Sequence, residues 1–388
     1  MRICLVTLDF RPHRTSGHAI YGELLADGLA ATGHQVTVVA SRRVPPQEDA
    51  APEQQHGLVV HREPIGATDW IGFSLRAARR VRELNSGNAF DVVHFLDLHF
   101  AYAYSGHYVA TLMQPFRQRL QAKGSLPYSR SLVNLAFRYT YYTLAGLTLE
   151  ARAAARARLM LAASQAIADA YLREHPAHRD RVVVAPLGID TSRYQRQNSE
   201  SLRAELGLQG KQVLLYAGFS TPRKGLEYLG KALSELGRDC SLVMVGRWET
   251  GYREQFLRTL SKRAKENVIE VGYVPDEMMP VYYSLADVFV LPSLLEGFGL
   301  PLVEAMACGT PIVATRAGSI PEVVGDAGLL VPAMDAAALA DAVRRLLDDW
   351  QLRDILAARG TLRVRSAFSR ERMVSRTLEA YQSSLESR

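Results

Sequence analysis

The sequence predicts two α/β domains, each a doubly wound, Rossmann-like parallel sheet, facing one another across a cleft. Two observations carry that expectation. The first forty residues spell a strand, a turn, a helix and a strand: an apolar run at 3–8, a polar turn holding Gly17, a helix over about 18–31 closed by Gly33, and a second apolar run at 35–40. This is the right-handed unit from which such sheets are wound. Short apolar runs separated by helical stretches then recur in both halves of the 388 residues, a length suited to two domains of roughly 150–200 residues each.

Taken in order, residues 43–56 are rich in Pro, Glu and Gln, follow neither period, and read as a surface loop. Strands are expected at 59–62, 91–94, 108–111, 159–162 and 182–185, with a long helical segment at 131–158, aromatic early and arginine-rich late, bending at Gly146. Residues 186–203 break both periods and supply Pro, Gly, Asn and Ser, which places the interdomain linker there. Six further strands are expected at 213–217, 241–245, 268–271, 287–291, 311–314 and 328–331. The domains are therefore drawn as 1–190 and 200–365, with a last helix within about 366–388 packing back on the first.

Composition narrows the function. Hydrophobic residues at 48% and charged residues at 22% belong to a folded globular chain. A net charge of +6 favours acidic partners, but no compact basic array with interleaved aromatics appears, so nucleic acid is not expected among them. Cys4, Cys240 and Cys308 are odd in number, far apart and set in apolar runs, which makes neither a disulfide framework nor a metal site. The start MRICLV lacks the pattern of a secretory leader, and no run reaches the ~18–20 apolar residues of a membrane span. The expected place is the cytoplasm, with the aromatic and basic stretch 137–158 offering a surface for peripheral contact with a membrane.

The richest stretch is LPSLLEGFGLPLVEAMACGTPIVAT. Glu296 sits in a loop after a strand, Pro301 marks a helix start, and Glu304 lies one turn into that helix. Gly297, Phe298 and Gly299 let the backbone approach a ligand, and the amides of Gly299, Leu300 and Leu302 are expected as free donors at the positive helix end, an anion cradle suited to a pyrophosphate. Glu304 is placed to accept hydrogen bonds from vicinal hydroxyls, and Glu296 to do the same for a sugar ring. In LLYAGFSTPRKGLEYL a strand ends at Gly218 and a helix opens after Gly225, with Arg223 and Lys224 beside it. Two cations at a helix mouth can neutralise a diphosphate leaving group. Read singly, each carboxylate fits a helix cap or a solvated charge as well, and the Arg-Lys pair fits an exposed loop.

Together these stretches, with GYVPDEMMPVYYSLADVFVLPS and GTPIVATRAGSIPEVV, resemble the retaining glycosyltransferases of the GT-B architecture, group 1 or family 4; the likeness is strongest from Leu214 to Val331. The resemblance implies a nucleotide-sugar donor, a hydroxyl acceptor that is a saccharide, a lipid or a natural product, and no bound cofactor. By position, Glu304 would bind the donor ribose, Glu296 the transferred sugar, residues Gly297, Phe298, Gly299 and Leu300 the sugar and phosphates, and Arg223 and Lys224 the diphosphate. Val274, Gly246 and Arg247 would frame the base. Gly218 and Gly17 match glycine turns near the phosphates, and His13 and His18 flank the latter in the acceptor cleft.

Two departures stand out. Phe219 occupies a position where the family often has Arg, and Met113 one where it often has His. Gln114, His107, His94 and His99 are the candidates to replace the latter. No Asp-x-Asp pair occurs, so arginine, lysine and the helix dipole are expected in place of a metal. The chemistry so implied is front-face substitution of a hexose, with a UDP-sugar favoured because uridine is the commonest donor base in the family and a GDP-sugar as the alternative. The same residues would also fit a nucleotide-sugar-binding protein that has lost activity, or an epimerase or hydrolase on this architecture.

Overall fold

The computed structural model describes residues 1–12, 17–42, 53–55, 57–65, 70–87, 89–115, 118, 136, 139–140, 142–236 and 240–386. The chain divides into two compact units, one of Met1–Phe116, Tyr141–Gly188 and Arg370–Arg388, the other of Arg117–Thr140 and Ile189–Ser369.

The first unit runs β1 (Arg2–Thr7), α1 (Gly17–Ala31), β2 (Gln35–Arg42), β3 (Glu53–Gln55), β4 (Leu58–Pro64), α2 (Trp70–Leu84), β5 (Val92–Phe95), β6 (Val109–Leu112), α3 (Leu147–Arg156), β7 (Leu159–Ala162), α4 (Gln165–Leu172) and β8 (Val182–Val184). Among the described residues its sheet has the order β3-β4-β2-β1-β5-β6-β7-β8. The interior strands are parallel and buried on both faces, which is why they read as unbroken apolar runs; Ile3, Cys4, Leu5 and Val6 are all 0% exposed. β3 is different. It pairs antiparallel with β4 inside the stretch expected to be loop, and its Glu53 carboxylate accepts from Arg62 Nε at 3.1 Å. A polar edge strand held by its backbone and an ion pair carries no apolar signal.

Of the expected long helix, residues 136 and 139–140 are helical, and a π-helical turn, Tyr142–Gly146, leads directly into α3. Gly146 is itself helical, at φ −63° and ψ −55°, so the irregularity is a change of hydrogen-bond register rather than a glycine hinge. The C-terminal helix Arg370–Glu386 lies on α1, where a Cβ at Gly28 would come within 2.4 Å of Val374 Cγ2.

In the second unit, a short helix Glu200–Glu205 starts inside the expected linker. There follow β9 (Gln212–Ala217), α5 (Leu226–Leu236), β10 (Cys240–Val245), β11 (Val268–Gly272), α6 (Met279–Leu285), β12 (Val288–Leu291), α7 (Leu300–Ala307), β13 (Ile312–Thr315), β14 (Gly328–Val331), α8 (Ala336–Asp348) and α9 (Trp350–Ala367). The sheet is parallel with the order β11-β10-β9-β12-β13-β14. Strand order reverses between β1 and β5 in the first sheet and between β9 and β12 in the second. Open α/β sheets bind ligands at the carboxyl ends of the strands at such reversal points.

Candidate active site

The loops after β9 and β12 interlock at the second reversal point. Gly218 (φ 143°) follows β9, and Pro222–Lys224 makes a single 3-10 turn closed by Gly225 at φ 63°. Gly225 is needed for two reasons: its backbone is left-handed, and a Cβ there would lie 2.2 Å from the Pro292 carbonyl oxygen. The Leu294 amide donates to the Arg223 carbonyl at 2.8 Å. The two loops thereby bring a cation and a carboxylate together from residues 72 apart: Lys224 Nζ donates to Glu296 Oε2 at 2.6 Å, and Ser293 Oγ donates to the same oxygen at 3.1 Å.

Arg223 adds a second positive charge, its Nη1 standing 3.9 Å from Glu296 Oε1 and donating to the Leu295 carbonyl at 3.3 Å. Lys224 and Glu296 are only 6% and 9% exposed. Burial opposes ionisation of Glu296, yet the charges of Lys224 and Arg223 outweigh it and hold the carboxyl below its ordinary value. Burial likewise pulls the Lys224 ammonium below its ordinary value, against the carboxylate's opposing effect. The Arg-Lys pair is thus partly an internal ion pair, not a pair of solvated loop cations.

Gly299, at φ 93°, precedes α7. One expected feature of this helix mouth is corrected: the Leu302 amide is not free, because it donates to the Gly299 carbonyl at 2.9 Å. The first turn of α7 thus uses that donor internally. The Phe298 ring turns inward and packs edge-on against Phe368 at 5.6 Å, so backbone, not ring, is what residues 297–299 present. Gly318 backs the loop, its missing Cβ leaving room for the Glu296 carbonyl oxygen that would otherwise lie 2.2 Å away.

Glu304 is 5% exposed and accepts from the Tyr283 hydroxyl at 2.6 Å. Burial pushes its carboxyl up to about 7, although hydrogen bonds from Tyr283 and Tyr194 work the other way. At the ends of β10 and β11, Gly246 lies against Gly218, Arg247 stacks over Tyr273 at 5.0 Å, and Val274 is buried. Phe219 is 54% exposed. Sequence reasoning missed Ser293, Tyr194 and Tyr283: neighbours fixed by the fold leave no local pattern.

In the first unit Gly17 and His18 open α1; His13 lies outside the described residues. Met113 is buried and Gln114, beside it after β6, keeps its Nε2 buried with no hydrogen-bond partner among the described residues. His107 is exposed. His94 is fully buried between the Tyr381 hydroxyl at 2.7 Å and Thr111 Oγ1 at 2.8 Å, and burial holds it near 3, which makes it a neutral core residue and removes it as a sugar ligand. His99 is buried between Asp97 and Glu150, two residues that sequence reasoning did not single out. Among the described residues no helix is long and apolar enough to cross a membrane.

Comparison with known proteins agrees with this architecture. The family model for Glycosyltransferase Family 4 matches residues 15–193, and that for Glycosyl transferases group 1 matches residues 198–363. The O-antigen chain mannosyltransferase B of Escherichia coli is 35% identical over 235 residues, 58% of this chain and 60% of that one. The MMP alpha-(1->4)-mannosyltransferase of Mycolicibacterium hassiacum is 29% identical over 99% of this chain and 98% of its own. Among solved structures, sucrose-phosphate synthase from Thermosynechococcus elongatus superposes with a TM-score of 0.81 at 23% identity, covering 100% of both chains. The two family models meet at the start of the second unit, and the chain belongs to the family 4, group 1 glycosyltransferases and has their GT-B fold.

Proposed function

We propose that this glycosyltransferase moves a hexose from a nucleoside-diphosphate sugar to an acceptor hydroxyl with retention of configuration and without a divalent metal. The observation that carries the reading is the buried Lys224–Glu296 pair, with the half-buried Arg223 beside it, at the second reversal point. In this reading the anomeric C–O bond breaks with its electron pair leaving on the diphosphate, whose charge Lys224 and Arg223 neutralise. The acceptor oxygen bonds to the anomeric carbon on the same face, and its proton passes to the departing phosphate oxygen. Glu296 orients the hexose through its hydroxyls, and Glu304 accepts from the ribose. Gly246, Arg247 and Val274 border the base.

The positive charge that a metal would bring is supplied here by side chains, so turnover is expected to survive EDTA. The names of the two mannosyltransferase relatives favour mannose as the hexose. A panel of GDP-mannose, UDP-glucose and ADP-glucose, with diphosphate release followed and the anomer of the product read by NMR, tests the reading. An inverted product, or turnover abolished by EDTA and restored by magnesium, would count against it.

A further inference from the structure

Helix α9 carries an apolar stripe on the side turned away from the core. At about 100° per residue, its buried positions Leu356, Gly360 and Val364 fall on one face and pack inward, where a Cβ at Gly360 would meet Met306 of α7 at 3.1 Å. Ile355, Ala358 and Leu362 fall on the opposite face and are all exposed, Ile355 at 50% and Leu362 at 70%. No other large apolar side chain among the described residues is as exposed as Leu362. A surface helix ordinarily turns charged and polar residues to water on this side. α9 is instead apolar on two opposite faces, and its own chain covers one of them.

The outer stripe has the spacing of a seam between paired helices. Gln351, Ile355, Ala358, Leu362 and Arg365 follow one another at steps of four, three, four and three residues, the a and d positions of a heptad, which a second helix fills. The flanks select that helix. Asp354 stands on one side of the stripe and Arg359 on the other, five residues later. In two parallel copies in register, each flank of one helix faces the opposite flank of the other about one turn further on, so Asp354 of one copy meets Arg359 of the second, twice by symmetry. An antiparallel pair would set like flank against like flank and bring the two Arg359 side chains together. Asp354 makes no ion pair among the described residues. Arg359 holds Asp326 at 3.5 Å with both side chains more than half exposed, a contact worth little in water and readily exchanged. A lipid surface would call for a basic rim, whereas this rim carries one sign on each side.

We propose that α9 pairs in parallel with α9 of a second copy of this chain, through Ile355, Ala358 and Leu362, and that Asp354 and Arg359 set the register. Gln351 and Arg365 close the seam, so it falls short of the ~800 Å² per partner of a standard interface, and the pairing is weak and reversible. The proposal does not rest on the glycosyl-transfer reading, because no residue of the stripe belongs to the candidate active site.

Sedimentation equilibrium of the full chain, up to about 500 μM, tests it. The expected result is a reversible rise in average mass from one chain towards two, with a dissociation constant on the order of 10–100 μM. Leu362→Glu is expected to weaken pairing roughly tenfold or more, because it buries a charge in the seam, with Tm unchanged. Asp354→Arg sets like charges together and weakens pairing too; combined with Arg359→Asp, which exchanges the signs, it restores pairing. Ala358→Cys places two thiols across the symmetry axis while Cys4, Cys240 and Cys308 are all buried, and mild oxidation is expected to link two chains through it. A wild type that stays a single copy throughout overturns the proposal. So does a dimer that Leu362→Glu leaves intact, which would put the interface elsewhere, or a sign exchange that fails to restore pairing. A monomeric wild type that floats with phosphatidylglycerol vesicles, and a Leu362→Glu variant that does not, would make the stripe a lipid-facing surface and overturn it as well. Should Leu362→Glu fail to fold, the Asp354 and Arg359 variants decide.

Discussion

Lys224 is the residue on which most converges, because it neutralises a buried carboxylate and, in the proposed reaction, a leaving diphosphate. Lys224→Ala is expected to lower turnover by roughly a hundredfold or more. It also takes from Glu296 its hydrogen-bonded cation and leaves only Arg223 at 3.9 Å, so the loss is at most that typical of breaking a buried pair, about 3–5 kcal/mol. The pair Lys224→Met with Glu296→Gln, which removes both charges, separates the effects: stability returns, as urea unfolding would show, and activity does not. Glu304 makes a different prediction. With its carboxyl near 7, it is increasingly protonated below that pH and loses acceptor capacity for ribose hydroxyls. Nucleoside-diphosphate affinity, followed by calorimetry, should weaken several-fold from pH 8 to pH 6, and Glu304→Gln should flatten the profile. The chemistry of this residue was legible in the sequence as a carboxylate one turn into a helix. Its pKa was not, because Tyr194 lies 110 positions away and only the fold seats it there.

Elements were legible where one physical requirement dominates. Parallel strands buried on both faces must be apolar throughout, so 159–162 and 328–331 match β7 and β14 residue for residue. Glycines mark turns whose backbone only they adopt easily. β3 and the π turn escaped because backbone pairing and helix register leave no periodic trace in side chains. At this scale the site depends on loops that lean on each other. Gly318→Ala forces a Cβ against the Glu296 carbonyl at a φ of 55°. It should cost about 1–3 kcal/mol of stability and displace the loop that aims Glu296, lowering kcat more than it raises donor KM.

Across the whole molecule, two buried histidines, one neutral and one protonated, shape the response of stability to pH. His94 stays neutral in the folded chain, near 3, so below about 6.5 the unfolded chain takes up a proton that the folded chain refuses, and stability falls as pH drops toward 3. His99 keeps its proton to about 10; its contribution is complete below about 6.5 and is lost as pH rises through 10. Each limb has a slope of at most about 1.4 kcal/mol per pH unit. Urea unfolding at pH 5, 6.5 and 8.5 should show His94→Gln flattening the acid limb and His99→Gln the alkaline one. His94 also ties β5 to the C-terminal helix through Tyr381, a contact of residues 287 apart that no reading of the sequence would join. The central claim is that the Lys224, Arg223 and Glu296 cluster drives departure of a diphosphate from a sugar. The most direct measurement is release of nucleoside diphosphate from a panel of donor sugars by wild type and by the Lys224→Met, Glu296→Gln pair, in EDTA. Steady release from one donor by wild type, and at least a hundredfold less from the folded pair, is the predicted result. Equal release by both, or release from no donor by a folded wild type, would contradict it.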